Sequence, residues 1–288
     1  MSRLTDQEHW DAFHTERLVV PDDPAAVAGQ GSLLRKLVGS KLYAYTRTYF
    51  LYQLFEAILP RYLPRDGGQR VLELGSAPGL FLLQFARTFG YQPFGVEYSE
   101  AGVTANRRVF AAFGIPPENV IQADLFDASF QSTYRDAFDV VTSYSLIEHF
   151  ADPADVVVRH VNLLKPGGHL IVLVPNLRGA NHSLYKFFNA KDLASHNLEI
   201  MDREPLLACF PTDELECLHI GYLGTFTFQL FNVERDSRRW PLLKICKKAQ
   251  SLLNIGYRLV LRNRGLESRT LSPWLLYVGK KKVTGPEG

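Results

Sequence analysis

A glutamate and two glycines lie close together where a short apolar run gives way to a turn and a second apolar run. Glu73 stands two residues before Gly75, and Gly79 follows four residues after that glycine. A dinucleotide fingerprint, G-x-G-x-x-G, would need glycine at the positions where this chain has Ala77 and Leu80. The stretch therefore predicts a strand, a tight turn and a helix that bind a small molecule other than a dinucleotide.

The composition of the turn also argues against a phosphate ligand. Pro78 has no backbone N–H, whereas a phosphate-binding turn supplies amide donors. A ligand with a nucleoside and an ammonium group, but no phosphate, suits this turn better. We expect Ser76 and Ala77 to contact that ligand together with the two glycines.

Two further acids end apolar runs, which is where open α/β sheets bind their ligands. Glu97 follows the turn glycines by about 20 residues, the spacing at which an acid accepts hydrogen bonds from ribose hydroxyls. Asp124 ends the next run, where its carboxylate can bind an adenine amino group while Leu125 and Phe126 flank the ring. We therefore expect Glu97, with its neighbour Tyr98, at the ribose and Asp124 at the adenine.

A fourth apolar run, residues 138–144, is followed at once by a glutamate and a histidine. Ser143 and Tyr144 end this run and are expected at the ligand, and Glu148 and His149 come next. An imidazole with an ordinary pKa near 6.5 can take a proton from a reacting hydroxyl, and the glutamate could orient it or act itself. A packing or helix-capping role for His149 is the alternative.

In this order the motifs resemble those of the seven-stranded, class I S-adenosylmethionine-dependent methyltransferases, over roughly residues 70–176. The matching elements are Glu73-Leu74-Gly75 with Gly79, the acid Glu97, the Asp124 motif, Ile147-Glu148-His149, and Leu164-Lys165-Pro166-Gly167-Gly168. The resemblance implies S-adenosylmethionine as the cofactor. It also implies that the glycines make room for the methionine part and that Glu73 places a carboxylate near its ammonium group.

The acceptor is expected to be a small molecule, with O-methylation favoured and N- or C-methylation left open. The Asn-Pro-Pro-aromatic tetrapeptide of enzymes that methylate nucleobase or glutamine amines is absent, because the fourth strand ends Thr142-Ser143-Tyr144-Ser145. The Glu148-His149 pair resembles quinone-type O-methyltransferases, while the later segments resemble enzymes of natural-product and glycan pathways. Three alternatives stand beside this: a lipid-linked or quinone-type acceptor at a membrane, a non-catalytic cofactor-binding partner protein, and an NAD-dependent oxidoreductase. No metal site is predicted.

The resemblance implies an α/β fold, a Rossmann-like three-layer sandwich. Its seven-stranded sheet is expected to be mostly parallel with an antiparallel last strand. We predict an N-terminal helical cap over 1–64 and a methyltransferase domain over 65–288, with an insertion after strand five at about 177–210 that contacts substrate. Residues 211–215 are expected to belong to the helix before strand six, strand six is placed at 224–233, and strand seven is placed at 273–279.

Four residues outside the sheet are candidates for substrate contact. A helix over 40–63 carries Tyr45 and Tyr52, which could close the site, although packing on the sheet is the simpler interpretation. His182 and His196 lie in the predicted insertion.

A basic amphipathic helix is predicted at about 241–262. Its apolar stripe consists of Leu242, Cys246, Ala249, Leu253 and Val260, widened by Leu243, Leu252 and Leu259. Its polar face consists of Lys244, Lys247, Lys248, Arg258 and Arg262. Such a helix can lie on an anionic membrane, pack on the domain or a second subunit, or attract an anionic substrate.

The composition is that of an ordinary globular enzyme with one main domain. Of the 288 residues 46% are hydrophobic and 22% are charged, and the net charge of +2 is too small to predict a nucleic-acid partner. Cys209, Cys217 and Cys246 have neither zinc-ligand spacing nor the even number of a disulfide framework. The first residues lack the apolar core of a signal peptide, and no apolar run reaches the roughly 18 residues that span a bilayer. We expect a cytoplasmic monomer or homodimer, with peripheral membrane contact as the alternative.

Overall fold

The computed structural model describes residues 3–17 and 49–283. Its centre is a seven-stranded sheet in the order β3-β2-β1-β4-β5-β7-β6. The strands are β1 Arg70–Leu74, β2 Gln92–Glu97, β3 Val120–Gln122, β4 Phe138–Tyr144, β5 Leu164–Pro175, β6 Leu215–Leu223 and β7 Trp274–Lys281. The first five run parallel, while β7 is antiparallel to both β5 and β6.

Helices connect the parallel strands, because parallel neighbours need a long crossover connection. The helices are α1 Gln7–Arg17, α2 Tyr49–Gln53, α3 Leu80–Phe89, α4 Glu100–Ala112, α5 Ala128–Thr133, α6 Pro153–Leu163, α7 Gly179–Asn189, α8 Arg203–Leu207 and α9 Trp240–Val260. The strand order reverses direction beside β1, and right-handed crossovers on either side of that point place helices on both faces of the sheet. The fold is therefore the expected Rossmann-like three-layer sandwich with an antiparallel last strand.

The reversal beside β1 also determines where a ligand can bind. Glu73 of β1 is in register with Gly95 of β2 and with Thr142 of β4, so these strands end at the same edge of the sheet. Most side chains of β1, β4 and β5 are buried, which makes this edge a rigid support for the loops that follow.

The prediction for strand six was wrong. The strand is β6, Leu215–Leu223, and it ends before Gly224, whose φ is +87°. Residues 228–230 instead form a 3-10 turn, because the Thr227 hydroxyl accepts a hydrogen bond from the Gln229 N–H. β6 is an edge strand with mostly half-exposed side chains, so it lacks the apolar run that marks a buried strand.

Two neighbouring boundaries also change. The helix before β6 is α8, Arg203–Leu207, begun by Asp202, whose carboxylate accepts from the Arg203 N–H, and residues 211–215 are not helical. β7 starts one residue later and ends two residues later than predicted.

The predicted helix over 40–63 falls only partly within the described residues. From Tyr49 to Arg61 the chain is helical, first as α2 and then as wider and tighter turns. Tyr45 lies outside the described residues, and the division of the chain at residue 64 stays a prediction. Within 3–17 and 49–283, no helix is both long enough and apolar enough to cross a bilayer.

Candidate functional site

A cavity of about 300 Å³ opens at the carboxyl edge of the sheet. Helix α1 supplies Trp10 to its wall, the turn after β1 supplies Gly75 and Ala77, and the end of β4 supplies Tyr144. The segment after β5 adds His196. The predicted insertion and the predicted ligand turn therefore both contribute to the wall of one cavity.

The turn between β1 and α3 has a backbone that only glycine accommodates. Gly75 has φ +71° and Gly79 has φ +88°. A Cβ at Gly79 would overlap the Asn106 side chain. That amide donates a hydrogen bond of 2.6 Å to Ser76 Oγ, which fixes the turn against α4. The two glycines are therefore required both by the turn's conformation and by its close packing.

Glu97 ends β2 beside the cavity and is held by three backbone N–H groups. Its Oε1 accepts from Tyr98 and Ser99 at 3.0 Å each, and its Oε2 accepts from Ala77 at 3.4 Å. Burial raises the pKa of this carboxyl, and the three N–H donors oppose the rise. The carboxylate is thus oriented in advance, in contact with the turn on one side and with the cavity on the other.

The predicted cofactor residue Glu73 lies in the core. It is buried on β1, and it is not part of the cavity wall. Burial, and secondly the charge of Glu97, raise its pKa well above the usual value. Among the described residues its Oε2 has no hydrogen-bond partner, so a cationic ligand group nearby would satisfy an otherwise costly buried oxygen.

Asp124 is already engaged by a cation from the N-terminus. The Arg3 guanidinium lies 2.5 Å from both carboxylate oxygens. It also lies over the rings of Tyr98 and Phe126, 5.0 and 5.5 Å from their centroids. Leu125 is buried beside them. A planar cation therefore sits where the sequence predicts the adenine, between the same carboxylate and the same aromatic ring.

Residues at the end of β4 divide between the cavity wall and the core. Tyr144 lines the cavity, where its ring packs against Phe81 and Trp274 with centroid separations of 5.3 and 4.6 Å. Burial raises the pKa of its phenol, which stays protonated. Ser143 is fully buried, and its hydroxyl has no partner among the described residues. Ser143 is therefore below the cavity rather than in its wall.

The predicted pair Glu148 and His149 is joined by His196. The two imidazole centroids are 4.6 Å apart, and His149 Nε2 lies 3.8 Å from Glu148 Oε1. Ser145, whose φ is +57°, donates a 2.5 Å hydrogen bond to the same Glu148 oxygen. Both histidines line the cavity. The insertion after β5 thus completes a cluster that β4 begins.

Backbone carbonyls determine which ring nitrogen of each histidine is protonated. His149 Nδ1 lies 2.8 Å from the Ser195 carbonyl, and His196 Nδ1 lies 2.7 Å from the Asp192 carbonyl. A carbonyl only accepts, so each Nδ1 carries a proton and each Nε2 keeps its lone pair. Both rings present a proton acceptor to the cluster.

Burial shifts these groups toward their neutral forms. It lowers the pKa of His149 from 6.5 to about 3, with the neighbouring His196 adding to the fall. It also lowers the pKa of His196. For Glu148, burial raises the pKa to about 7, and the Ser145 hydrogen bond opposes that rise. Near neutral pH both imidazoles are uncharged, and the carboxyl is close to its midpoint.

The same three side chains could hold a divalent ion. Glu148, His149 and His196 each offer one ligand atom, and these atoms lie within 4.8 Å of one another. Two neutral imidazoles and a carboxylate suit ions such as Zn²⁺ or Fe²⁺. The prediction of no metal site is left untested by this geometry.

Two of the predicted substrate residues lie elsewhere. Tyr52 packs beneath the Arg258 guanidinium, 4.3 Å from the ring centroid, and is not in the cavity wall. His182 lies on α7, also outside the wall. Only His196 of the described candidates reaches the cavity.

The sequence interpretation missed the contribution of α1. Trp10 packs edge-on against His149 with centroids 5.0 Å apart, and Phe13 and His14 line the same cavity. These residues recur at i, i+3 and i+4 in an otherwise polar segment, which is a detectable one-sided pattern. Tyr185 of α7 is a further wall residue that was missed.

The chain matches a known family over most of this region. The sequence profile of a family described as "Methyltransferase domain" covers residues 43–219. The chain is 31% identical over 114 residues to a ubiquinone biosynthesis O-methyltransferase of Marinobacter nauticus, and that match covers 38% of this chain and 45% of the relative. It is 32% identical over 111 residues to the enzyme of the same name from Photorhabdus laumondii, again covering 38% of this chain and 45% of the relative. The chain thus spans less than half the length of these curated relatives.

Among solved structures, the fold resembles geranyl diphosphate C-methyltransferase from Streptomyces coelicolor A3(2), in complex with Mg²⁺, geranyl diphosphate and S-adenosyl-L-homocysteine. The TM-score is 0.51 at 14% identity, covering 79% of this chain and 78% of that one. At this identity the likeness concerns the fold alone.

Proposed function

This chain belongs to the methyltransferase domain family of S-adenosylmethionine-dependent enzymes, and from that premise we propose that it transfers the methyl group to a hydroxyl of a small molecule. The acceptor is a biosynthetic intermediate, of the kind found in natural-product or glycan pathways. The observation that supports the proposal most is the cluster of Glu148, His149 and His196, in which two cavity-lining imidazoles each keep an unprotonated Nε2.

The residues beside the cavity fit the cofactor. The turn at Gly75 and Gly79 has no room for a Cβ at its second glycine and would hold the methionine part. Glu73 has an unpartnered buried oxygen for an ammonium group, and Glu97 would accept from the ribose hydroxyls. Asp124 would bind the adenine amino group, beside or in place of the Arg3 guanidinium.

When bound, S-adenosylmethionine supplies a methyl group that its sulfonium charge already activates. The protein must then hold the acceptor oxygen in line and remove its proton. His149 Nε2 is positioned for that proton because its other nitrogen is fixed to the Ser195 carbonyl. Glu148, 3.8 Å away, would stabilise the imidazolium that forms. Trp10 packs edge-on against the ring and contributes to its burial from water.

A quinone-type acceptor is the second candidate. Two relatives of this chain are named as ubiquinone biosynthesis O-methyltransferases. The aromatic wall formed by Trp10, Tyr144 and Trp274 suits a flat ring, which supports an aromatic hydroxyl in particular.

Incubation of the purified protein with S-adenosylmethionine and a panel of phenols, alcohols and amines tests the proposal. We expect S-adenosylhomocysteine to form with a hydroxyl compound, and mass spectrometry to place the methyl group on oxygen. A parallel arm contains a chelator. Turnover that survives chelation supports acid–base chemistry, whereas loss restored by a divalent ion would reassign the cluster to a metal centre. Methyl groups found only on nitrogen or carbon would refute O-methylation.

The dependence of kcat/KM on pH should follow the ionisation of the Glu148 carboxyl group. Because burial raises its pKa to about 7 and its carboxylate form stabilises the imidazolium, we expect kcat/KM to fall about tenfold per unit as the pH drops below 7. His149, with a pKa of about 3, does not titrate in this range. Steady-state rates from about pH 5.5 to about pH 9 measure the inflection.

Glu148→Gln is the matched variant for that profile. It should be slower than the wild-type protein, and its kcat/KM should be flat around pH 7. An unchanged inflection in the variant would assign the titration to another group.

A further inference from the structure

Helix α9 buries two polar residues and Leu243 against the domain, whereas most of its large apolar residues lie toward solvent. Gln250 and Asn254 are buried, whereas Ile245, Leu252 and Leu259 are 64, 72 and 66% exposed. A helix that packs on its own domain normally shows the reverse arrangement. The exposed side of α9 is therefore suited to contact something outside the described structure.

Hydrogen bonds fix this orientation. Gln250 Oε1 accepts from the Phe228 N–H at 2.9 Å, and Gln250 Nε2 donates to Asn254 Oδ1 at 2.9 Å. Tyr257 donates from its hydroxyl to the Phe226 carbonyl at 3.3 Å. Rotation of the helix to bury its apolar side would break all three bonds and leave buried polar groups unpaired.

The exposed apolar residues form one continuous band, which we call the α9 stripe. Its members recur at alternating intervals of three and four residues, the spacing that places side chains on one helix face. They are Leu242, Ile245, Ala249, Leu252, Gly256 and Leu259. Leu253 and Val260 widen the stripe on one side. Contiguous apolar surface of this kind on a soluble protein marks an interaction site.

The charge around the stripe is strongly one-sided. Residues 238–266 contain eight Lys or Arg and neither Asp nor Glu, although the whole chain has a net charge of only +2. Lys244 and Lys248 are exposed on α9 itself, on the side of the stripe opposite Leu253 and Val260. Trp240, an amphipathic residue, begins the helix, and Lys244 Nζ lies 4.6 Å from the centroid of one of its rings. The surface thus combines exposed apolar side chains with positive charge.

An anionic bilayer surface complements both properties. The acyl boundary would accept the stripe, while the lipid headgroups would neutralise the lysines and arginines. A second copy of this chain fits less well, because a symmetric contact would bring two positively charged borders together. We propose that α9 lies in the interface of an anionic membrane with its stripe toward the acyl chains.

The helix is also connected to the cavity. Its Gln250 bonds the 3-10 turn at 228–230, and Gln229 and Leu230 of that turn line the cavity. A membrane-bound molecule would hold this wall close to the bilayer, where an acceptor with an apolar tail resides. The membrane contact itself does not depend on the proposed methyl transfer, so each can fail without the other.

Co-sedimentation with lipid vesicles tests the proposal. We expect the protein to bind phosphatidylcholine vesicles that contain about 30 mol% phosphatidylglycerol and to bind pure phosphatidylcholine at least about tenfold more weakly. Raising the ionic strength from about 0.05 to about 0.5 M should release most of the bound protein, since it shortens the range of surface electrostatics.

Two variants and one control separate the contributions. The double variant Ile245→Asp with Leu252→Asp should lower binding by at least about tenfold, because it puts charge in the acyl boundary. Lys244→Gln with Lys248→Gln should weaken binding several-fold and flatten its salt dependence. Val283→Asp makes the same chemical change at another exposed apolar residue, 69% exposed and outside α9, and should leave binding unchanged. Circular dichroism confirms that each variant is folded.

Three results would overturn the proposal. They are an absence of binding to anionic vesicles, binding that the double aspartate variant leaves intact, and equal binding to neutral vesicles. Light scattering after size exclusion supplies a further check. A dimer that the same double variant dissociates, together with no vesicle binding, would identify the α9 stripe as a subunit interface instead.

Discussion

Replacement of His149 by alanine is expected to lower kcat by about 10²- to 10⁴-fold while leaving the affinity for S-adenosylmethionine close to that of the wild-type protein. The loss follows from the free lone pair of Nε2 on a residue that lines the cavity, while Nδ1 is held by the Ser195 carbonyl. Without this acceptor, the proton of the attacking hydroxyl must pass to water. Single-turnover rates and a separate binding titration distinguish the two effects.

A low pKa does not prevent His149 from acting as a base. Burial is the main reason that the pKa of its imidazole is lowered, so the ring is uncharged and Nε2 keeps its lone pair at neutral pH. In the same apolar surroundings the charged imidazolium would be unstable if the Glu148 carboxylate were not beside it. The pair therefore accepts the proton together, which is why both residues are assigned to the proposed reaction.

Two further variants test whether a loss of activity in His149→Ala comes from damage to the structure instead of from loss of the base. His149 is buried and bonded, so an alanine at this position also leaves a cavity. His149→Gln keeps more of the volume, and it should lose activity while retaining most of the thermal stability. His182→Ala, on α7 outside the cavity wall, is the matched histidine control and should keep full turnover. A His149→Ala protein with full turnover would remove this residue from the mechanism.

Replacement of Glu97 by alanine is expected to weaken S-adenosylmethionine binding by about 100-fold or more, since hydrogen bonds to a charged group contribute about 1.5–3 kcal/mol each. The variant loses the predicted acceptor for the ribose hydroxyls. It also leaves the N–H groups of Tyr98 and Ser99 without the carboxylate that now binds them at 3.0 Å. Both the ligand contact and the shape of the site are affected.

Calorimetric titration with S-adenosylmethionine and S-adenosylhomocysteine measures this effect, with NAD as a ligand that should not bind. Glu97→Gln keeps the size and one acceptor oxygen, so its loss should be smaller than that of the alanine variant. Glu100→Ala, at a nearby exposed acid in the first turn of α4, is the matched control and should bind normally. Unchanged affinity in Glu97→Ala would exclude Glu97 as the ribose ligand.

Local sequence patterns were sufficient to predict the fold and the order of the motifs along it. A carboxylate, a glycine turn and acids at the ends of successive apolar runs predict the Rossmann-like sheet and its ligand edge, because parallel strands bring their carboxyl ends together whatever their loops do. The same logic predicts Glu97 beside the turn. The same logic does not locate β6. This edge strand has mostly half-exposed side chains, so its sequence lacks the apolar run of a buried central strand.

Contacts between segments that are distant in the sequence could not be predicted from these local patterns. The contact of His149 with His196, the packing of Trp10 on His149 and the ion pair of Arg3 with Asp124 join residues that are 47 to 139 positions apart, with Arg3 and Asp124 separated by 121. No local periodicity encodes such distances.

The same division applies to α9. The sequence determined that the helix is amphipathic and basic, because those properties depend only on residue types and their spacing. Only the tertiary structure decided which face is buried. The hydrogen bonds of Gln250 and Tyr257 to the chain near residue 228 hold the polar side inward and leave the apolar stripe outside, and a helical pattern by itself carries no information about the partner that its faces will meet.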